Sequence, residues 1–100
     1  MADPDITLQR IKEAVSRIAE HPKNVTIDEI EWVAGQLEKL ENIHKVSTRD
    51  TRHGRLFTIH TAESPHSFGV CTHHPGSKQV KSVYVKDFLD VMIELGLYEE

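Results

Sequence analysis

The sequence predicts a small α+β domain, with a three-stranded antiparallel sheet and helices on one of its faces, in the order α-α-β-β-β-α. Apolar residues recur every three or four positions near both ends of the chain, and they alternate with polar residues in the middle. Turn-forming residues separate these segments. One hundred residues suit a single domain, in which 1–25 hold an additional N-terminal helix with its linker and 26–100 hold the core.

The first two segments are predicted to form an antiparallel pair of helices. The first helix spans 6–20 and carries one apolar stripe, Leu8, Ile11, Val15 and Ile18. Thr26 and Glu29 have the spacing of a capping box, which begins the second helix. That helix is expected to end near Asn42 and to carry a second apolar stripe, Ile30, Val33, Leu37 and Leu40. Trp32 lies beside this stripe, so we expect it in the core or at its edge.

Three strands and a last helix complete the prediction. The strands span 43–48, 56–61 and 67–73 and form an antiparallel meander. In the second strand, Phe57 and Ile59 face one side and Leu56, Thr58 and His60 face the other. The last helix spans 83–95, and Gly96 stands where a helix commonly ends. Helices on one face leave the other face of the sheet open to water or to a ligand.

Charge is sorted along the chain. Residues 1–42 hold nine acids and five bases, residues 43–86 hold two acids and seven bases, and residues 87–100 hold five acids and no base. Six of the seven histidines also fall in the middle segment. This sorting indicates a surface for an anion such as RNA phosphate, and a solvated sheet face is the alternative.

Several classes of protein are disfavoured by composition. The longest apolar run is three residues, so no segment is expected to span a membrane. Cys71 is the only cysteine, and the N-terminus lacks the pattern of a signal peptide, so we expect a cytoplasmic protein. The chain has no glycine-rich nucleotide loop and no nucleophile elbow, and we expect no cofactor.

Three segments carry a resemblance to a known family. They are the loop His74-Pro75-Gly76-Ser77-Lys78, the segment from Tyr84 to the Gly96-Leu97 ending, and the helix Asp28–Glu41. Together they resemble the HicA-like toxins of bacterial toxin–antitoxin pairs over about residues 28–97. The resemblance implies a fold like the double-stranded-RNA-binding domain and an antitoxin-like protein as partner.

The resemblance also implies a ribonuclease that cuts messenger RNA without a metal. In that family a histidine handles protons while the ribose 2′-hydroxyl attacks its own phosphate. The family's Gly-Ser-His falls on Gly54-Arg55-Leu56, so Leu56 occupies the expected histidine position. His60, on the same face of its strand, and His53, in the preceding turn, are the candidate substitutes. A surface histidine without a catalytic role is the alternative for both.

Basic residues of the middle segment are the candidate phosphate ligands. Three lie around one turn, Arg49, Arg52 and Arg55, and three lie around the start of the last helix, Lys78, Lys81 and Lys86. The resemblance adds His74. Ordinary solvent exposure is the alternative for each of these residues.

Metal binding and protein partners remain alternatives. Cys71 and His73 are two apart on a predicted strand and could share a zinc ion with His60, but the spacing is unspecific and we expect no metal. A homodimer through the first helix is expected if its apolar stripe does not fold back onto the domain. A non-catalytic protein-interaction module is the alternative to RNA binding.

Overall fold

The computed structural model describes residues 4–52, 54–73 and 76–99, and it confirms the predicted α+β class and the order α-α-β-β-β-α. The described helices and strands are α1 (Pro4–Glu20), α2 (Ile27–Leu37), β1 (Ile43–Asp50), β2 (Gly54–Thr61), β3 (Pro65–Cys71) and α3 (Ser82–Glu94). No helix in the described part of the chain has the length and apolar character needed to cross a bilayer.

The sheet is an antiparallel meander in the order β1-β2-β3, with β2 in the centre. Phe57 of β2 lies opposite Thr48 of β1 and Phe68 of β3 in the register. Because side chains alternate between faces, this register gives the sheet one buried face and one face with no buried side chain among the described strand residues. The second of these is called the open face below.

All three helices lie on the buried side of the sheet. The Phe68 ring stacks on Phe57 at 5.2 Å and meets the edge of Phe88 of α3 at 5.3 Å, so these rings join sheet to helix. Helix α1 packs on α2 and α3, and its Ile11 and Val15 are fully buried. The first helix therefore does fold back onto the domain. A homodimer stays a prediction, but the reason given for it does not hold, because the apolar stripe of α1 is covered by the rest of the domain.

The start of α2 is fixed by its cap and by the loop before α3. Thr26 has extended backbone angles and accepts a hydrogen bond from the Glu29 amide at 3.4 Å, as the capping box predicts. The Ile27 amide donates to the Lys78 carbonyl at 2.8 Å, and the Val80 amide donates to the Val25 carbonyl at 2.8 Å. These bonds bring the 78–80 segment alongside the first residues of α2.

Helix α2 ends earlier than the sequence predicts. It stops at Leu37, and the amides of Lys39 and Leu40 then bond to carbonyls three residues back, at 3.0 and 3.1 Å. Leu40 packs against the core from this turn, as predicted for the last residue of the apolar stripe, although it lies beyond the end of the helix. Trp32 is 43% exposed, so the prediction that it belongs to the core or its edge was wrong.

The strand bounds differ from the prediction at four points, one of which is the start of β3, at Pro65 instead of residue 67. Strand β1 continues to Asp50, because Asp50 pairs in register with Arg55. Strand β2 begins at Gly54, where an added Cβ would lie 1.8 Å from the Val70 carbonyl oxygen. Strand β3 ends at Cys71, so the strand alternation predicted through residue 73 does not extend that far.

Candidate phosphate-binding surface

The open face of the sheet carries cations and hydroxyls. Its cross-strand rows are Lys45 with His60 and Pro65, Ser47 with Thr58 and Ser67, and Arg49 with Leu56 and Gly69. No aspartate or glutamate is found among the described strand residues of this face, because Asp50 points to the helix side with Arg55. Lys45 and Arg49 are exposed. The arrangement gives a positive surface with hydrogen-bond donors, which suits an anionic ligand.

The two predicted cation clusters meet at one end of the sheet. Gly54 pairs with Cys71 in register, and the Lys81 amide donates to the Cys71 carbonyl at 3.0 Å. The β1–β2 connection and the start of α3 therefore lie at the same end, which we call the turn end. Arg49 and Arg52 lie on the β1 side of it and Lys81 on the β3 side, and two strand spacings of about 5 Å separate the outer strands.

Two of the predicted phosphate ligands are held by carboxylates of α2. The Arg55 guanidinium pairs with Glu31 and, through Nε at 3.2 Å, with Asp50. The Lys78 ammonium pairs with Asp28 at 3.2 Å. Arg55 faces the helices because it stands two residues before the buried Phe57. These pairs reduce the positive charge that Arg55 and Lys78 offer to a ligand.

The remaining predicted cations have no ion-pair partner among the residues that the structure describes. Arg49, Arg52 and Lys81 are exposed at the turn end. Lys86 is also exposed, but it lies on α3, one residue after the buried Val85, and not on the open face. His53 and His74 lie outside the described residues.

His60 is well separated from the position that the resemblance assigns to the catalytic histidine. Its Nε2 lies 3.4 Å from Ser47 Oγ, within hydrogen-bond distance. It lies four positions after Leu56 in β2, which amounts to about 13 Å along the strand. The structure thus groups His60 with Lys45 and Ser47, away from the turn end.

The zinc alternative fails on geometry. His60 pairs with Pro65 at one end of β3, and Cys71 lies at the other end, about 20 Å away. His73 follows the end of the strand. Within 4–52, 54–73 and 76–99, no three histidine, cysteine or acidic side chains are arranged to hold a metal ion.

Cys71 instead contacts the first turn of α3. A hydrogen bond with Cys71 raises the pKa of Tyr84 above its ordinary value of 10.0, and the charge of the Cys71 thiolate adds to the effect. The Cys71 and Tyr84 side chains therefore lie near each other at the turn end, where the Lys81 amide joins the start of α3 to β3.

Sequence reasoning missed Lys45 as a member of the basic surface. Lys45 faces the same side as Arg49, four residues on, and the period-two alternation of β1 was the signal that could have found it.

Comparison with family models, with curated proteins and with solved structures finds no match to this chain. The resemblance to HicA-like toxins therefore stays a prediction.

Proposed function

We propose that this domain binds structured RNA through its phosphates, using the turn end and the β1 side of the open face. The observation that carries the proposal is a set of unpaired cations, Lys45, Arg49, Arg52 and Lys81, on a surface where the described strand residues include no carboxylate. Phosphate contacts supply most of the sequence-independent affinity for nucleic acid.

The open face favours structured RNA over an unpaired strand. Proteins that hold single strands stack the bases on aromatic side chains. The described residues of its three cross-strand rows include no phenyl, phenol or indole ring, and their one aromatic ring is the imidazole of His60; Leu56 is the only large apolar side chain in these rows. The hydroxyls of Ser47, Thr58 and Ser67 can instead donate to phosphates or to 2′-hydroxyls along an RNA duplex.

The proposed activity is binding rather than cleavage. Leu56 has no group that can transfer a proton, and His60 lies about 13 Å along the strand from it. An RNA ligand and the unpaired thiol of Cys71 both suit a reducing compartment, so the proposal includes a cytoplasmic location.

Fluorescence anisotropy with a labelled RNA hairpin, measured over a series of NaCl concentrations, tests the proposal. Arg49→Gln and Arg52→Gln should each reduce the slope of log affinity against log salt by about 0.7 to 0.9. Lys39→Gln is the matched control, because Lys39 is an exposed cation in the turn between α2 and β1. Absence of binding at about 50 µM protein in low salt, or an equal loss in the control, would contradict the proposal.

A second candidate function is a protein-interaction module, with an antitoxin-like protein as the partner. The pairing of Arg55 and Lys78 with acids of α2 favours it, because it removes two cations from an RNA surface. Strand β1 also has an unpaired edge that could accept a strand from a partner. Co-purification of a defined partner with protection of β1 amides from hydrogen exchange, together with absent RNA binding, would favour this candidate.

A further inference from the structure

A groove runs between α1 and α2, on the side of the domain away from the open face of the sheet. Its volume is about 730 Å³, and residues from Arg10 to His21 line one wall while residues from Asn24 to Trp32 line the other. This volume falls within the range of about 300 to 1,000 Å³ that is usual for sites of small organic ligands. None of the four cations assigned to the proposed RNA surface lines this groove.

The groove has an apolar lining beside an exposed indole. Ile18 and Val25 are almost fully buried, and Ala14 of α1 is a third apolar residue of the lining. Trp32 leaves 43% of its surface exposed although helix α2 has a buried stripe directly beside it. An exposed indole next to apolar side chains provides a flat surface on which a ring or an aliphatic plate can stack.

The cations of the groove are free, whereas its carboxylates are engaged. Arg10 and Arg17 are exposed and have no hydrogen-bond or ion-pair partner within the described ranges. Each carboxylate of the lining has a partner: Glu13 accepts from Gln9 at 3.3 Å, Asp28 pairs with Lys78, and Glu29 accepts from the Thr26 hydroxyl at 3.3 Å. The cations of the groove that are open to an anionic ligand are therefore two guanidinium groups, and the polar side chains of His21 and Asn24 also line it.

We propose that this groove binds a small amphipathic carboxylate, with a flat apolar body against Trp32 and its carboxylate on Arg17 or Arg10. Guanidinium groups match carboxylates in geometry and form two parallel hydrogen bonds with them. Arg10 and Arg17 are two turns apart, about 10 Å along α1, so one ligand engages one guanidinium at a time unless it is elongated. The proposal is independent of RNA binding, since the groove and the open face lie on opposite sides of the domain.

A ¹H–¹⁵N NMR titration with 2-naphthoate tests the proposal, and Trp32 gives a direct readout because it is the only tryptophan in the chain. We expect saturable shifts of its indole N–H signal and of the amides of Ala14 and Ile18. Arg10→Gln and Arg17→Gln should together weaken binding by about five-fold or more. Lys12→Gln, an exposed cation of α1 that does not line this groove, should leave binding unchanged.

Four outcomes would overturn the proposal. The first is no saturable shift at millimolar 2-naphthoate, and the second is unchanged affinity in the arginine variants. The third is equal binding of 2-naphthalenemethanol, which keeps the ring but has no charge. Concentration-dependent broadening of the same signals without ligand would assign the groove to a second copy of the chain and would also overturn it. The anisotropy of the RNA hairpin should be the same in the arginine variants as in the parent protein, which separates this test from that of the proposed function.

Discussion

Releasing a cation from the acids of α2 should strengthen RNA binding if the turn end is the phosphate-binding surface. The cleanest perturbation is Asp28→Asn, because Asp28 is the one carboxylate paired with Lys78 in the described part of the chain. Both side chains are mostly exposed, at 60% and 72%. Loss of the pair should therefore cost at most about 1 kcal/mol of stability, and the fold should persist.

The expected magnitude follows from counterion release. One added phosphate contact steepens the slope of log affinity against log salt by about 0.9 on a duplex. Over the four-fold change from 50 to 200 mM salt, this slope corresponds to an additional loss of affinity of about 3.5-fold. Asp28→Asn should thus bind RNA more tightly at 50 mM salt and lose that advantage as salt rises. Combining it with Glu31→Gln, which weakens the hold on Arg55, should increase the slope further.

The assay is the anisotropy titration with the RNA hairpin at several salt concentrations. Glu38→Gln is the matched control, because it also removes one exposed carboxylate of the α2 region but lies at the other end of that helix. The reasoning is refuted if Asp28→Asn and Glu38→Gln have the same slope, since binding would then respond only to net charge. Thermal melts of each variant check that the protein remains folded.

Other substitutions test the fold and the turn-end contacts. Gly54→Ala should destabilise the domain by about 1 to 3 kcal/mol, because the added Cβ would clash with the backbone of the neighbouring strand. Gly35→Ala, in open space on α2, should instead stabilise the domain by about 0.5 to 1 kcal/mol. Urea titration measures both changes, and equal effects of the two substitutions would count against the observed strand register. Phe68→Ala should cost about 3 to 5 kcal/mol in the same assay, and a loss below about 1 kcal/mol would contradict its place in the core. Cys71→Ala should lower the pKa of Tyr84 toward 10.0, seen by ultraviolet titration of the phenol. The raised pKa means that the folded protein favours the neutral phenol of Tyr84, so the stability that this phenol contributes should be lost as pH rises through 10 and above. If Cys71→Ala leaves the titration of Tyr84 unchanged, the contact between the two side chains is excluded.

Local patterns in the sequence were sufficient for the element order and for most of the core. The spacing of Thr26 and Glu29 predicted the start of α2, and Gly96, with φ of +77°, terminates α3 as expected. Alternation around Phe57 and Ile59 assigned the two faces of β2 correctly. These signals are short-range, because a cap, a turn and a strand pleat are each decided by neighbouring residues.

Contacts between distant segments could not be predicted in this way. The basic residues near 55 and 78 seemed equivalent to their neighbours in the sequence, but each meets an acid of α2 that lies 24 or 50 residues away. The same alternation that buried Phe57 also turned Arg55 toward the helices, a consequence that charge counting overlooked. Trp32 is exposed because the buried stripe of α2 beside it already packs against the core. A position next to an apolar stripe is therefore not enough to predict that a side chain is buried.

The most direct test of the RNA-binding account is a ¹H–¹⁵N NMR map of the protein with an RNA duplex at low salt. The account predicts that the amides of residues 45–52 and 80–82 shift together in a saturable way, while those of α1 and of the Trp32 indole do not. Shifts confined to α1 and α2, or no shifts at all, would contradict it.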